Sequence, residues 1–113
     1  MSFEQILEKC GYPVQIIKVL EQNVNGIIER TESEQIQTKA IIQPLSKEEM
    51  TYWKDLGFAK AQLKAYFKPN ESIDVGDIVE IDGKRYHVKT FENHTATGIN
   101  GYKVAILGED YDS

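Results

Sequence analysis

The chain has 113 residues, 41% of them hydrophobic, and carries a net charge of −5 from 13 basic and 18 acidic side chains. This balance predicts a single globular domain over residues 1–113, and no apolar run approaches the roughly 20 residues of a membrane span. The basic side chains are spread evenly along the chain, so no basic face is expected to grip nucleic-acid phosphates tightly.

The N-terminus carries Glu4 and Glu8 early and lacks a basic leader, so it does not read as a secretion signal. The single cysteine, Cys10, excludes an intramolecular disulfide and fits a reducing, intracellular site of synthesis. The first predicted element is a short helix over 1–11. Ser2 can cap it, Phe3, Ile6, Leu7 and Cys10 share one face, and Gly11 can end it. Cys10 is expected to be buried on that face.

After Tyr12-Pro13 the β-branched run "VQIIKVLEQ" predicts a strand. "NVNGIIERTES" contains Asn25-Gly26 and reads as a loop or as the tip of a long hairpin. In "IQTKAIIQ" the alternation puts Ile36, Thr38, Ala40 and Ile42 on one face of a half-buried strand.

"PLSKEEMTYWKDLGF" changes to helical logic. Ser46 and Glu49 form a capping box, and Leu45 with Met50 can close a hydrophobic staple. Met50, Trp53 and Leu56 recur at three-residue spacing, with Gly57 as the stop. A helix of this length is marginal by itself, so its order depends on what it packs against.

"AKAQLKAYFKP" returns to strict alternation, with Ala61, Leu63, Ala65 and Phe67 inward. In "GDIVEIDGKRYHVK", Asp82-Gly83 predicts a two-residue type I′ turn. The register follows: Ile81 opposite Lys84, Glu80 opposite Arg85, Val79 opposite Tyr86, and Ile78 opposite His87. Val79, Tyr86 and Val88 then face the core, while Glu80, Arg85 and His87 lie outside. "TATGINGYK" reads as a flexible loop, and "GYKVAILG" supplies the last strand with Tyr102, Val104 and Ile106 on one face. The whole predicts a mainly β fold: a small six-stranded, mostly antiparallel barrel over 14–108. A short helix or mobile loop at about 46–56 and an acidic tail at 109–113 complete it.

No stretch assembles a nucleophile, a base and oxyanion donors, so the chain is not expected to be an enzyme or to use a cofactor. His87 and His94 lack metal-ligand spacing, and no metal site is expected. Tyr66, Tyr86, Tyr102 and Phe67 raise the alternative of an OB- or SH3-like binding adaptor. Most of these aromatics are expected to face the core, however, and the accompanying basic groove is missing.

The order of the segments carries a resemblance. A strand ending in Gln43, Pro44, Leu45, Ser46, Glu48 and Glu49 is followed by a short amphipathic stretch and a strand. Then comes a hairpin containing Ile73, Gly76, Asp77, Val79, Gly83, Lys84 and Tyr86. Over residues 14–108 this resembles the head–tail joining proteins of long-tailed bacteriophages and prophages, the head-closure or stopper group. The resemblance implies a structural virion protein, made in the host cytoplasm and located at the head–tail junction. It would assemble with copies of itself in a connector ring beneath the portal and head adaptor. That ring would close the channel after DNA packaging and dock a tail terminator or tail-completion protein, while DNA passes through without sequence-specific binding. A tail-side completion role at the same joint is the neighbouring alternative.

The segment that the resemblance associates with gating and assembly comprises Gln43, Pro44, Leu45, Ser46, Glu48, Glu49, Met50, Tyr52, Trp53 and Leu56. Trp53, the only tryptophan, is the candidate contact residue, either toward a neighbouring copy or capping the barrel's end with Met50 and Leu56.

Overall fold

The computed structural model describes residues 3–96 and 99–109. Helix α1 (Phe3–Cys10) leads into β1 (Tyr12–Val24) and β2 (Ile27–Pro44). Helix α2 (Lys47–Asp55) and β3 (Leu63–Phe67) follow. The chain then forms β4 (Ile78–Ile81), β5 (Lys84–Ala96) and β6 (Ile99–Gly108). All strand pairs are antiparallel, and the sheet closes on itself in the order β1-β2-β3-β6-β5-β4. Closure removes the sheet edges where the strands overlap, which is how a small β domain avoids unpaired ladder groups.

Alternation along each strand fills the barrel. Val14 and Ile16 from β1, Ala40 from β2, Ala65 and Phe67 from β3, Val79, Val88, Ala105 and Leu107 form one buried cluster with Ile73. Ala40, Ala65 and Ala105 are fully buried, as is Phe67. Ala65 stands opposite Ala105, so small residues leave room for the phenyl ring in a narrow interior.

The β4–β5 hairpin has the register that Asp82-Gly83 predicts, from Ile81 opposite Lys84 to Ile78 opposite His87. Asp82 at φ 52 and Gly83 at φ 80 supply the two positive φ angles of the turn. Glu80 accepts from Arg85 at 3.3 Å on the outer face.

Several expectations are corrected. Cys10, expected to be buried, is exposed; among the described residues of its helix only Leu7 is buried, because two turns offer the sheet a narrow contact. His87 lies on the outer side opposite Ile78, as the register predicts, and is half-buried there, because that side also carries buried Ile78 and Lys89. In the last strand Ala105 and Leu107 fill the barrel, whereas Ile106 packs outside it against α2. Of the expected loop "TATGINGYK", residues 95 and 96 belong to β5 and residues 99 and 100 to β6, which begins two residues before the expected last strand; residues 97 and 98 lie outside the described residues. The acidic tail lies outside them as well, apart from Glu109.

Of the two readings of "NVNGIIERTES", the hairpin tip is the observed one. Asn25 (φ 54) and Gly26 (φ 82) make the turn. β1 pairs with β4 only from Gln15 to Ile17, and β2 pairs with β3 only from Ile41 to Pro44. Beyond those rungs the two strands continue as a two-stranded arm in which every residue from Leu20 to Gln35 is exposed. The molecule is accordingly elongated, 51 × 32 × 30 Å. No helix among the described residues is long and apolar enough to cross a membrane.

Candidate functional site

The segment after Gln43 is built as a docked helix. Gln43 and Pro44 are exposed and form the last two rungs of β2, opposite Lys64 and Leu63. Proline is tolerated there because the strand ends with it. The next residue turns inward: the Leu45 N–H donates to the Gln62 carbonyl at 2.9 Å, and its side chain is buried.

Ser46 caps α2. Its Oγ accepts from the Glu49 N–H at 3.2 Å, and the Glu49 carboxylate accepts from the Ser46 N–H at 3.1 Å. Glu48 and Glu49 also place negative charge beside the positive end of the helix dipole. The Lys64 ammonium on β3 donates to Glu49 at 2.7 Å, joining the cap to the barrel wall. That bond holds the Glu49 carboxyl below its ordinary pKa, helped by the Ser46 N–H, and raises the pKa of Lys64.

The far end closes with a Schellman motif. Gly57 at φ +97 donates to the Lys54 carbonyl at 3.0 Å, and Phe58 donates to Trp53 at 2.8 Å. The turn brings the Phe58 ring 6.1 Å from Trp53, edge to face. Trp53 is therefore an intramolecular anchor, packed with Leu45, Ala61, Ile106 and Phe58 in a cluster outside the barrel. Ala61, expected inside the barrel with Leu63, belongs to this cluster instead.

Met50 and Leu56 do not share that burial, being 43% and 54% exposed. The helix is too short to bury more than one stripe, and Trp53 occupies it. Met50 thus presents an exposed side chain where the staple was expected, and Tyr52 is exposed beside Trp53, their centroids 5.0 Å apart. The result is a folded helix whose inner side is anchored and whose outer side offers Met50, Tyr52 and Leu56.

Removing the cap oxygen with Ser46→Ala should lower stability by about 1 kcal/mol. Urea titrations of both proteins check this; an unchanged midpoint would show that the Glu49–Lys64 bond holds the helix start alone.

Sequence reasoning missed a second constellation, around Asp77. This aspartate is 2% exposed and accepts three bonds: from the Lys18 ammonium at 2.5 Å, the Val19 N–H at 3.1 Å and the Asp74 N–H at 2.9 Å. Lys18 also reaches Asp74 at 2.8 Å. The clamp sits where the β1–β2 register shifts between Lys18 and Val19, with Ser33 of β2 as the extra residue, so it joins the base of the arm to the loop before β4. Burial by itself lowers the pKa of Lys18, but its bonds to the two carboxylates outweigh this and raise it. The Asp74 carboxyl is held below its ordinary value by its bond from Lys18. The only sequence signal was the Gly-Asp of the hairpin motif; the partner at Lys18 is 59 residues away.

Of the four aromatics noted above, Phe67 is buried in the barrel and Tyr86 packs against it. Tyr66 and Tyr102 instead pack against each other with their rings tilted by 58°, centroids 5.5 Å apart. Among the described residues no group of three His, Cys, Asp or Glu is disposed to hold a metal ion. In comparisons with known proteins the chain matches no protein-family model and no curated sequence.

Proposed function

We propose that the chain is a non-enzymatic subunit of a bacteriophage or prophage head–tail connector, located at the head–tail junction of the virion. In this reading it forms a ring with its own copies that closes the portal channel after DNA packaging and docks the tail. The observation that carries the reading is the state of the segment after Gln43-Pro44. A capped helix is anchored to a closed barrel by Trp53 and leaves Met50, Tyr52 and Leu56 exposed for a neighbouring subunit. Aromatic and methionine side chains of this kind are favoured at protein interfaces.

The helix is already formed in the single chain. A gate built on residues 44–58 would therefore act by undocking or reorienting a folded helix, with the Glu49–Lys64 bond as the contact to release. The acidic balance of the chain suits a channel through which DNA slides, because a wall that held phosphates tightly would slow it.

Particles assembled without this protein should fill with DNA and then lose it, and purified protein added back should restore both DNA retention and tail joining. Nuclease protection and electron microscopy read the two outcomes. Heads that keep their DNA but lack tails would move the protein to the tail side of the joint. Micromolar binding of single-stranded DNA with a steep salt dependence would favour the adaptor reading instead.

A further inference from the structure

The arm formed by β1 and β2 presents an open edge. Among the described residues no third strand pairs with β2 between Ile27 and Ala40; its only other partner, β3, begins at Ile41. A long exposed edge of this kind is a template for strand addition, and soluble proteins ordinarily cover or disrupt it.

The ladder fixes which amides face outward. The Asn25-Gly26 turn is closed by Val24 opposite Ile27. In a two-residue hairpin that closing pair is hydrogen-bonded, and the bonded pairs then alternate. Ile27, Glu29 and Thr31 therefore bond to β1, while Arg30 and Glu32 direct their backbone groups to the outer edge. The regular stretch ends at Ser33, where the register shifts.

Charge then selects an occupant. Arg30 lies opposite Glu21 and donates to it at 2.9 Å, and Glu32 accepts from Arg85 at 3.1 Å. Consider the edge of a second copy laid antiparallel and centred on Thr31. Thr31 meets Thr31 of the second copy, Arg30 meets Glu32 of the second copy, and by symmetry Glu32 meets its Arg30. The side chains then form two unbroken rows of alternating sign: Glu21, Arg30, then Glu32 and Arg85 of the second copy, and the same in reverse. Opposite charges and paired threonines are the favourable cross-strand neighbours, and like charges the unfavourable ones.

We propose that the β2 edge from Glu29 to Ser33 is a docking surface for the same edge of a second copy, joining the two arms into a four-stranded antiparallel sheet. The contact is isologous. It covers the open edge in the free protein and stands independently of the connector reading.

Sedimentation velocity of the full chain across micromolar to near-millimolar concentration tests it, with matched runs at low and high salt. A monomer–dimer equilibrium that weakens with salt is expected, because these charges are exposed and screened. R30E alone, and E32R alone, places like charges opposite each other twice. Each should weaken dimerisation by about tenfold or more. A mixture of the two variants restores opposite signs at both positions and should dimerise again. Hydrogen exchange at the Glu32 amide should slow on dimerisation. Circular dichroism of each variant confirms that the barrel is intact. A protein that stays monomeric at all concentrations would overturn the proposal. So would a dimer indifferent to the two substitutions, or a mixture that does not associate.

Discussion

Asp77→Asn should unfold at a much lower denaturant concentration than the parent protein, a loss of about 3–5 kcal/mol. Asp77 is 2% exposed and is the acceptor for Lys18, Val19 and Asp74 together. The asparagine has nearly the same shape but replaces one acceptor oxygen with a donor amide, so at least one of the three donors faces another donor. Lys18, only 17% exposed, keeps a charge with one carboxylate beside it instead of two. Against a total stability of roughly 5–15 kcal/mol for a domain of this size, the loss is a large share. Guanidinium titration measures it, and a variant within about 1 kcal/mol of the parent would show that the clamp is not a stabilising element.

The same cluster sets a pH dependence. Asp74 has a folded pKa below its ordinary 3.8, so its contribution is complete above that value. It is lost as pH falls through the depressed folded pKa. Lys18 has a folded pKa above its ordinary 10.5. Its contribution is complete below that value and is lost as pH rises through the raised one. The Lys18–Asp74 bond therefore contributes fully across the neutral range, and its contribution is lost in acid as pH falls below about 4.

Trp53→Ala should cost about 3 kcal/mol while leaving the barrel folded. The indole is the centre of a cluster that holds α2 from outside the sheet, and none of its partners there belongs to the barrel's interior cluster. A helix of nine residues has little stability without that contact. The expected outcome is a protein that keeps its β-type circular dichroism and slow exchange in the barrel, with fast exchange in residues 47–55. In the connector reading this variant also assembles poorly, because Met50, Tyr52 and Leu56 lose their fixed orientation. Loss of the whole cooperative transition would mean that α2 and the barrel fold as one unit. Trp53→Phe, which keeps an aromatic ring in the cluster, should recover a good part of the loss.

Local signals were legible wherever neighbouring residues satisfy one another. The capping box of Ser46 and Glu49, the stop at Gly57 and the register around Asp82-Gly83 depend on groups only a few residues apart, and the structure has them as the sequence predicts. Alternation also identified most of the barrel's interior, from Ala40 to Phe67 and Val88. It was least reliable where an outer face is covered as well. Ile106 and Ala61 point away from the barrel and are still buried, because α2 and its following loop lie over them. Hydrophobicity marks burial, and it does not say on which side of the sheet the cover lies.

The candidate site divides in the same way. Residues 46–57 announced a helix, but which of Met50, Trp53 and Leu56 would be buried depended on a narrow contact with β3 and β6. The Asp77 clamp was not legible, since Lys18 is remote in sequence and an isolated Gly-Asp is ordinary turn chemistry. The length of the arm was equally hidden. "NVNGIIERTES" is compatible with loop or ladder until the two strands are seen to pair through to the turn.

By itself, then, the sequence determined six strand segments, the Asp82-Gly83 turn that needs positive φ and a helix with both ends signalled. Each follows from short-range sterics and hydrogen bonding along the chain. Only the tertiary structure decided the order of strands around the barrel, the face of α2 that is anchored, the partner of Asp77 and the open edge of β2. Those depend on which distant segments meet, and a pairing between remote residues is set by the closed packing of the whole sheet.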